Sequence, residues 1–481
     1  MTFVITYKYY IKEDKKNLMN KNDTFEIEII DIGHGGEGIG KVDGFPIFIK
    51  DAIIGDLVLV KLTKIKKSYG YGRIIELIRE SEHRVPARCS IARTCGGCQV
   101  QEMSYAYQLQ YKSKQVEENL IRIGGFEPQY VKRHMEEIIG MEDPFHYRNK
   151  AQFPFGTDAE GNPITGFYAR RSHNIIPNTD CPLGVSVNHE ILDLILAHMK
   201  ENGIRSYNEE IGKGLLRHVL IRYGFSSKEI MVCFVINASS MKGFVNLDVL
   251  VEKLTKIPGM TSISYSVNRK KTNVIMGENY EVIWGQSYIT DSIGEIHYQI
   301  SPLSFFQVNP IQTERLYQLV LDYADLKGHE VVWDLYCGIG TISLYLAKHA
   351  KQVYGVEVIP QAIANAQVNA ILNQMENTEF FVGKAEEVLP RYYQDNKAAG
   401  HNEYADVIVV DPPRKGCEAS LLQTILEMKP EKIVYVSCDS ATMARDLKIL
   451  CESEYELTKV RPVDQFPMTI HVETVAILTR E

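Results

Sequence analysis

Apolar positions along this chain change their rhythm twice. From Thr24 they come in short runs (FEIEIIDIG, GIGKV, FPIFIK, DLVLVKLTKIKK, YGRIIELI) separated by turns that carry glycine. Several short strands with closely spaced turn signals predict a small β-barrel over residues 22–80. Residues 85–300 mix helical and strand patterns: a helix from Tyr105 to Ile123, then HYRNKAQFPF and GFYARRSHNII, then HVLIRYG and EIMVCFVIN joined by FSSK as a hairpin. Over residues 301–481 the runs VVWDLYCG, QVYGVEV, EFFVGKA, ADVIVVDPP, KIVYVSCD and HVETVAILT alternate with helical segments. That alternation predicts a parallel, doubly wound α/β sheet. The junctions near 80–88 and 295–310 are the richest in Gly and Pro, and the Lys-rich residues 1–21 read as a flexible lead-in. No internal repeat or low-complexity tract interrupts the series.

Composition narrows the class. A length of 481 residues suits about three domains, and 45% apolar with 24% charged residues excludes wholesale disorder and a disulfide mini-scaffold. No run approaches the roughly 18 apolar residues of a membrane span, and the first residues show no secretory pattern, so a cytoplasmic protein with no membrane partner is expected. The net charge of −8 argues against a polycation but not against a local basic patch. Lys61, Lys64, Lys66, Lys67 and Arg73 surround Tyr69 and Tyr71 with no acid between them. Cations interleaved with aromatic rings suit phosphates and stacked bases, while a lysine-guarded sheet edge is the plainer alternative. The glycines of HGGEGIG (His34–Gly40) lie between strands with no helix after them, so they read as turn residues. Nine cysteines is an odd number, and Cys89, Cys95 and Cys98 fall within ten residues of one another. Clustering in a chain without a secretory signal points to metal rather than disulfides.

Candidate chemistry concentrates near the C-terminus. Asp334-Leu335-Tyr336-Cys337-Gly338-Ile339-Gly340-Thr341 carries a strand through a Gly-x-Gly turn into a helix, and Glu357 follows Gly338 by nineteen residues. A glycine turn at a strand end with an acid after the next strand suits a nucleoside-type cofactor. Ser343 stands at the usual third glycine position, which favours S-adenosylmethionine over a dinucleotide. Asp411-Pro412-Pro413-Arg414 makes a rigid strand-end loop, and Arg414 replaces the aromatic residue expected for methylation of an amino group. Cys438 ends the next strand. A thiolate adding to C6 of uracil would make C5 nucleophilic, and a base must then remove the C5 proton. Glu473, which opens the last strand, reaches the same sheet edge if that strand is antiparallel.

Together, SFFQVN (Ser304–Asn309), DLYCGIGT, GVE, VVDPPRKG, YVSC and HVE resemble the RNA 5-methyluridine methyltransferases, a class I S-adenosylmethionine-dependent family. The resemblance implies Cys438 as nucleophile and Glu473 as the base for the C5 proton. It implies Gln307, Tyr336, Thr341, Glu357 and Asp411 as cofactor contacts. Asp439-Ser440 stands where the family commonly has Asn-Pro. The barrel is similar to a TRAM domain, an OB-like RNA-binding module. Cys89, Cys95 and Cys98 with Cys181 resemble the [4Fe–4S] ligand set of the 23S ribosomal RNA branch, on a central α+β domain. Zinc also suits four cysteines. The tRNA-directed branch generally lacks both features, so 23S ribosomal RNA is the implied partner, with no obligate protein partner.

His146, Arg148, Lys150, Arg170, Arg171 and His173, with Lys213, Arg217, His218 and Arg222, are expected to form an RNA track. Two other readings remain at this point. A radical S-adenosylmethionine methylthiotransferase would combine a TRAM module with a cluster, though on a Cys-x3-Cys-x2-Cys spacing. A ribosome-assembly protein would bind RNA without catalysis.

Overall fold

The computed structural model describes residues 19–398 and 405–480, so most of the expected lead-in, residues 1–18, lies outside the described residues. The chain divides into two compact units: the residues up to Ala87 with Gln99–Ser104, and Arg88–Cys98 with Tyr105–Glu481.

Strands β1 (Thr24–Glu28), β2 (Asp31–Ile32), β3 (Gly38–Val42), β4 (Phe45–Ile49), β5 (Leu57–Ile65) and β6 (Gly70–Arg79) form the first unit's sheet, in the order β1-β5-β6-β4-β3-β2. The Ile30 N–H donates to Ile39 O at 2.9 Å, curling the sheet back past β1. Ile27, Ile47, Ile49, Val58, Val60 and Leu62 alternate with outward residues and fill the interior. Gly40 is dictated by packing, because a Cβ there would stand 2.1 Å from the Ile27 side chain. The basic stretch is a hairpin across β5 and β6, not one strand, and Phe48, Tyr69 and Tyr71 cluster on it with centroids 5.5–5.8 Å apart. The ends of the unit are pinned by buried Asp56, whose carboxylate accepts from the Arg84 Nε at 3.1 Å.

The second unit holds two large sheets. Strands β7 (Lys150–Thr157), β8 (Pro163–Tyr168), β9 (Ile175–Pro177), β10 (Leu216–Tyr223), β11 (Ile230–Ile236), β12 (Met260–Val267) and β13 (Tyr280–Gly285) lie in the order β13-β12-β11-β10-β7-β8-β9. The expected hairpin is the antiparallel pair β10–β11. A two-stranded ribbon follows, β14 (Ile289–Ile293) with β15 (Ile296–Ile300), whose isoleucines pack into the apolar core of the last sheet.

That last sheet comprises β16 (Val331–Leu335), β17 (Gln352–Glu357), β18 (Thr378–Val382), β19 (Val407–Val410), β20 (Lys432–Ser437), β21 (Tyr455–Val463) and β22 (Glu473–Arg480), in the order β18-β17-β16-β19-β20-β22-β21. Five strands are parallel, and β22 inserts antiparallel between β20 and β21. Alternate residues serve opposite faces: Val332 and Val434 join one apolar core, Trp333 and Tyr435 the other. Burial on both faces explains why these strands read as continuous apolar runs.

The helix Tyr105–Arg122 buries Val116 and Leu120 against the second of those cores. Lys112 and Asp464 are both 0% exposed, and the ammonium donates to Asp464 Oδ1 at 2.5 Å and to Phe466 O at 3.1 Å. The Tyr105 hydroxyl donates to Asp464 Oδ2 at 2.8 Å. Gln312 Nε2 donates to Asp464 O and Asn309 Nδ2 to Gln465 O, so the loop from Asp464 is held by two helices, Tyr105–Arg122 and Pro310–Ala324 with its N-cap.

The expected RNA track is corrected in part. Arg217, His218 and Arg222 are 4%, 5% and 2% exposed. Arg217 donates to the carbonyls of Asn268 (2.7 Å) and Lys270 (2.9 Å), a structural use that a solvated track would not make.

Candidate active site

The carboxyl ends of the parallel strands surround a cavity of about 1550 Å³. The glycine turn after β16 forms one wall. Gly338 sits at φ 56, and a Cβ on it would meet nothing within 4 Å, which leaves the backbone open to a ligand. Gly340, at φ 79, is needed for packing instead, since its Cβ would lie 3.2 Å from Ala366 and Phe380. Tyr336 precedes them at φ 71, a left-handed conformation that costs a non-glycine residue energy and recurs at functional sites. Beneath the turn, buried Asp334 accepts from the Ser343 hydroxyl, so the serine at the third glycine position braces the strand end.

Tyr336, Glu357, Asp411 and Gln307 all line the cavity. Glu357 also accepts from the Ile359 N–H at 3.0 Å, which holds its carboxylate at the end of β17. Thr341 stands behind the wall: it is not a lining residue, and its hydroxyl accepts from Tyr317 Oη at 2.8 Å. The cradle suits an adenosyl cofactor, with carboxylates for ribose hydroxyls and open backbone at Gly338.

Cys438 and Glu473 meet at the same edge. Ser437 on β20 pairs with Thr474 on β22, which brings the adjoining residues Cys438 and Glu473 to the same end of these two strands. Both line the cavity. The sequence departure after the cysteine has a clear structural role, because the Asp439 carboxylate accepts from Ala441 N (3.0 Å) and Thr442 N (3.2 Å) and caps the helix Ser440–Cys451. An Asp at the N-cap followed by Ser does the work of Asn-Pro.

Electrostatics at this edge favour neutral forms. Burial, then the charge of Asp411, holds the Glu473 carboxyl up at about 8, with Arg414 acting the other way. Burial also raises Asp411. The Cys438 thiol is pushed up to about 11, first by burial and then by Glu473 and Asp411.

Sequence reasoning passed over Phe305, Phe466 and Asn365, which also line the cavity. Phe305 is 68% exposed while Phe306 is 2% exposed. Two adjacent aromatics in one motif, of which a core can take only one, was the available signal. His471, quoted only as part of a motif, lines the cavity as well.

The four clustered cysteines gather in the second unit. Cys95 and Cys98 are buried, Cys89 and Cys181 half-buried. Burial pushes the Cys95 thiol up, and nearby Cys181 and Cys89 add to it. The Gly97 N–H donates to Cys95 Sγ at 3.3 Å. Half-buried Arg148 lies within electrostatic reach of Cys98 and Cys181. Among the described residues, no group of three or more His, Cys, Asp or Glu side chains is placed to hold a metal ion, so the metal site expected on the four cysteines is not shown.

Comparison with known proteins places this architecture. Residues 263–481 match the family model described as tRNA (Uracil-5-)-methyltransferase, and residues 20–75 match the TRAM domain. An uncharacterized RNA methyltransferase of Clostridium acetobutylicum is 49% identical over 96% of this chain and 98% of its own length. One from Halalkalibacterium halodurans is 48% identical over 96% and 98%. The crystal structure of Pyrococcus abyssi tRNA (uracil-54, C5)-methyltransferase in complex with S-adenosyl-L-homocysteine aligns with a TM-score of 0.73 at 28% identity, over 95% of this chain and 100% of that one. These likenesses run through the class I domain and leave no place for the radical methylthiotransferase alternative. The chain belongs to the S-adenosylmethionine-dependent RNA (uracil-5-)-methyltransferase family and carries a TRAM domain.

Proposed function

We propose that this protein methylates C5 of uridine in 23S ribosomal RNA, with Cys438 as nucleophile and Glu473 as base. The observation that carries the reading is that Cys438 and Glu473, each next to the terminal β20–β22 pair Ser437–Thr474, line one cavity within electrostatic reach of each other, and that Gln307, Tyr336, Glu357 and Asp411 line it too. Those four residues, with Thr341 bracing the turn behind them, hold S-adenosylmethionine, which supplies an electrophilic methyl group when bound. The Cys438 thiolate adds to uracil C6, and the electron pair released across the ring makes C5 nucleophilic. C5 takes the methyl group. Glu473 then removes the C5 proton, and the C6–S bond breaks to restore the ring and the thiolate. A uridine inside folded RNA must leave its stack to reach this edge. The basic, aromatic hairpin of the TRAM domain supports RNA as the substrate: among the described residues, none of Lys61, Lys64, Lys66, Lys67 and Arg73 forms an ion pair.

Ribosomal rather than transfer RNA is favoured by the TRAM domain occurring together with the four cysteines. Mapping 5-methyluridine in RNA from cells with and without the gene tests this directly. The expected result is loss of one or more 23S sites with tRNA unchanged, whereas loss confined to tRNA would refute it.

The same reading includes a [4Fe–4S] cluster on Cys89, Cys95, Cys98 and Cys181. Four thiols, a backbone N–H donating to Cys95 Sγ and a half-buried cation at Arg148 suit an anionic cluster. Anaerobically purified protein is expected to contain iron and sulfide, and serine at any of the four positions should lower both. Stoichiometric zinc without sulfide would refute the cluster.

A further inference from the structure

Lys112 is neutralised by Asp464, and Arg217 donates to two carbonyls although its Nε, like that of Arg222, has no partner. Half-buried Lys150 and buried Arg222 stand side by side without a carboxylate. They are direct cross-strand partners on β7 and β10. Arg222 is 2% exposed, donates from Nη2 to Ser304 O, and leaves its Nε without a partner. The Lys150 ammonium has no hydrogen bond or ion pair among the described residues. Burial and the charge of Arg222 pull Lys150 down to about 8, and burial pulls Arg222 down to about 10. Two like charges side by side, one of them buried and neither facing a carboxylate, repel each other, and an anion reaching the half-buried Lys150 would relieve that repulsion.

The pair is placed beside the catalytic cavity. Met231, opposite Arg222 on β11, packs into the apolar core of the catalytic sheet, so this face of the central sheet looks toward it. Asn149, next to Lys150, donates from Nδ2 to Gln307 O at 2.9 Å and from its N–H to Val308 O at 2.9 Å. The cations therefore underlie the segment that presents Ser304, exposed Phe305 and Gln307 to the cavity. Neither cation lines the cavity itself, so a ligand contained there does not reach them.

We propose that Lys150, backed by Arg222, is a built-in subsite for a phosphodiester of the substrate RNA adjacent to the target uridine. The inference rests on the RNA methyltransferase reading above and adds where the backbone is gripped. A phosphate held at half-buried Lys150 would offset the charge of the pair and fix the backbone next to the segment that holds Gln307.

The test compares wild type with Lys150→Met, which keeps the aliphatic stem, and Lys150→Arg, which keeps the charge. Affinity for an unmodified 23S ribosomal RNA transcript is measured over a series of salt concentrations, and affinity for S-adenosylhomocysteine at one. Losing one phosphate contact should make the slope of log Kd against log salt shallower by about 0.7 to 0.9 in the methionine variant. The arginine variant should keep the wild-type slope, and both should bind S-adenosylhomocysteine as wild type does. An unchanged slope in a methionine variant that binds RNA would overturn the subsite. Weakened S-adenosylhomocysteine binding with an intact RNA slope would assign the pair to the cofactor carboxylate and overturn it equally. Wild-type protein that shows no salt-dependent RNA binding would overturn the functional reading together with the subsite.

Discussion

Cys438→Ala is expected to abolish methyl transfer while S-adenosylhomocysteine still binds. The thiol is the group at the β20 edge able to attack uracil C6, and without that adduct C5 has no electron pair to offer. Removing a nucleophile of this kind costs on the order of 10⁴-fold or more in rate, about 5.5 kcal/mol of transition-state stabilisation. The cofactor wall is built from Gly338, Tyr336 and Glu357, on other strands, so its affinity should not move. Single-turnover transfer of labelled methyl to RNA, with a parallel S-adenosylhomocysteine titration, checks both halves. Full turnover by the variant would remove Cys438 from the mechanism.

Glu473→Gln should separate the two halves of the reaction. The variant keeps the shape of the side chain but cannot take the C5 proton, so turnover should fall by roughly 10²- to 10⁴-fold. A methylated adduct still joined to Cys438 should accumulate, visible as RNA retained with the protein on a denaturing gel. The same change alters the thiol. Glu473 raises Cys438, so removing the carboxylate should shift the pH midpoint of Cys438 alkylation downward from about 11. In wild type, rate should climb as pH rises through neutrality, because Glu473 is held near 8 and acts as a base only once deprotonated. Fast turnover without adduct, or an alkylation profile that does not move, would dismiss Glu473 as the base.

The catalytic sheet was readable because parallel strands buried on both faces leave long apolar runs, and their ends carry the chemistry. Cys438, Asp411, Glu357 and Tyr336 could thus be placed at one edge before any contact was known. Placing Glu473 at the same edge as Cys438 depended on the direction of β22, which the sequence left conditional and which is antiparallel. The basic segment around Arg217 misled, because β10 is covered on both faces: Arg217 and Arg222 donate to carbonyls and His218 meets the Tyr168 hydroxyl, so none of the three presents itself to solvent. Periodicity cannot register such partners. Nor could it register Lys112, whose spacing on an amphipathic helix gives no hint of a buried carboxylate far down the chain.

Lys112 and Asp464 lie 352 residues apart in sequence. Closing a loop of that size costs about 5 kcal/mol in chain entropy before any contact compensates, so the pair belongs among the last contacts to form. The loop it fixes carries Phe466 into the cavity and leads through His471 to Glu473. Tyr147, in the same apolar cluster as Cys98 and Met468, donates its hydroxyl to Pro467 O at 3.1 Å. Long-range contacts thus tie the cysteine region, the helix Tyr105–Arg122 and the strand end that carries Glu473 together, and local opening of that helix is expected to expose all three at once.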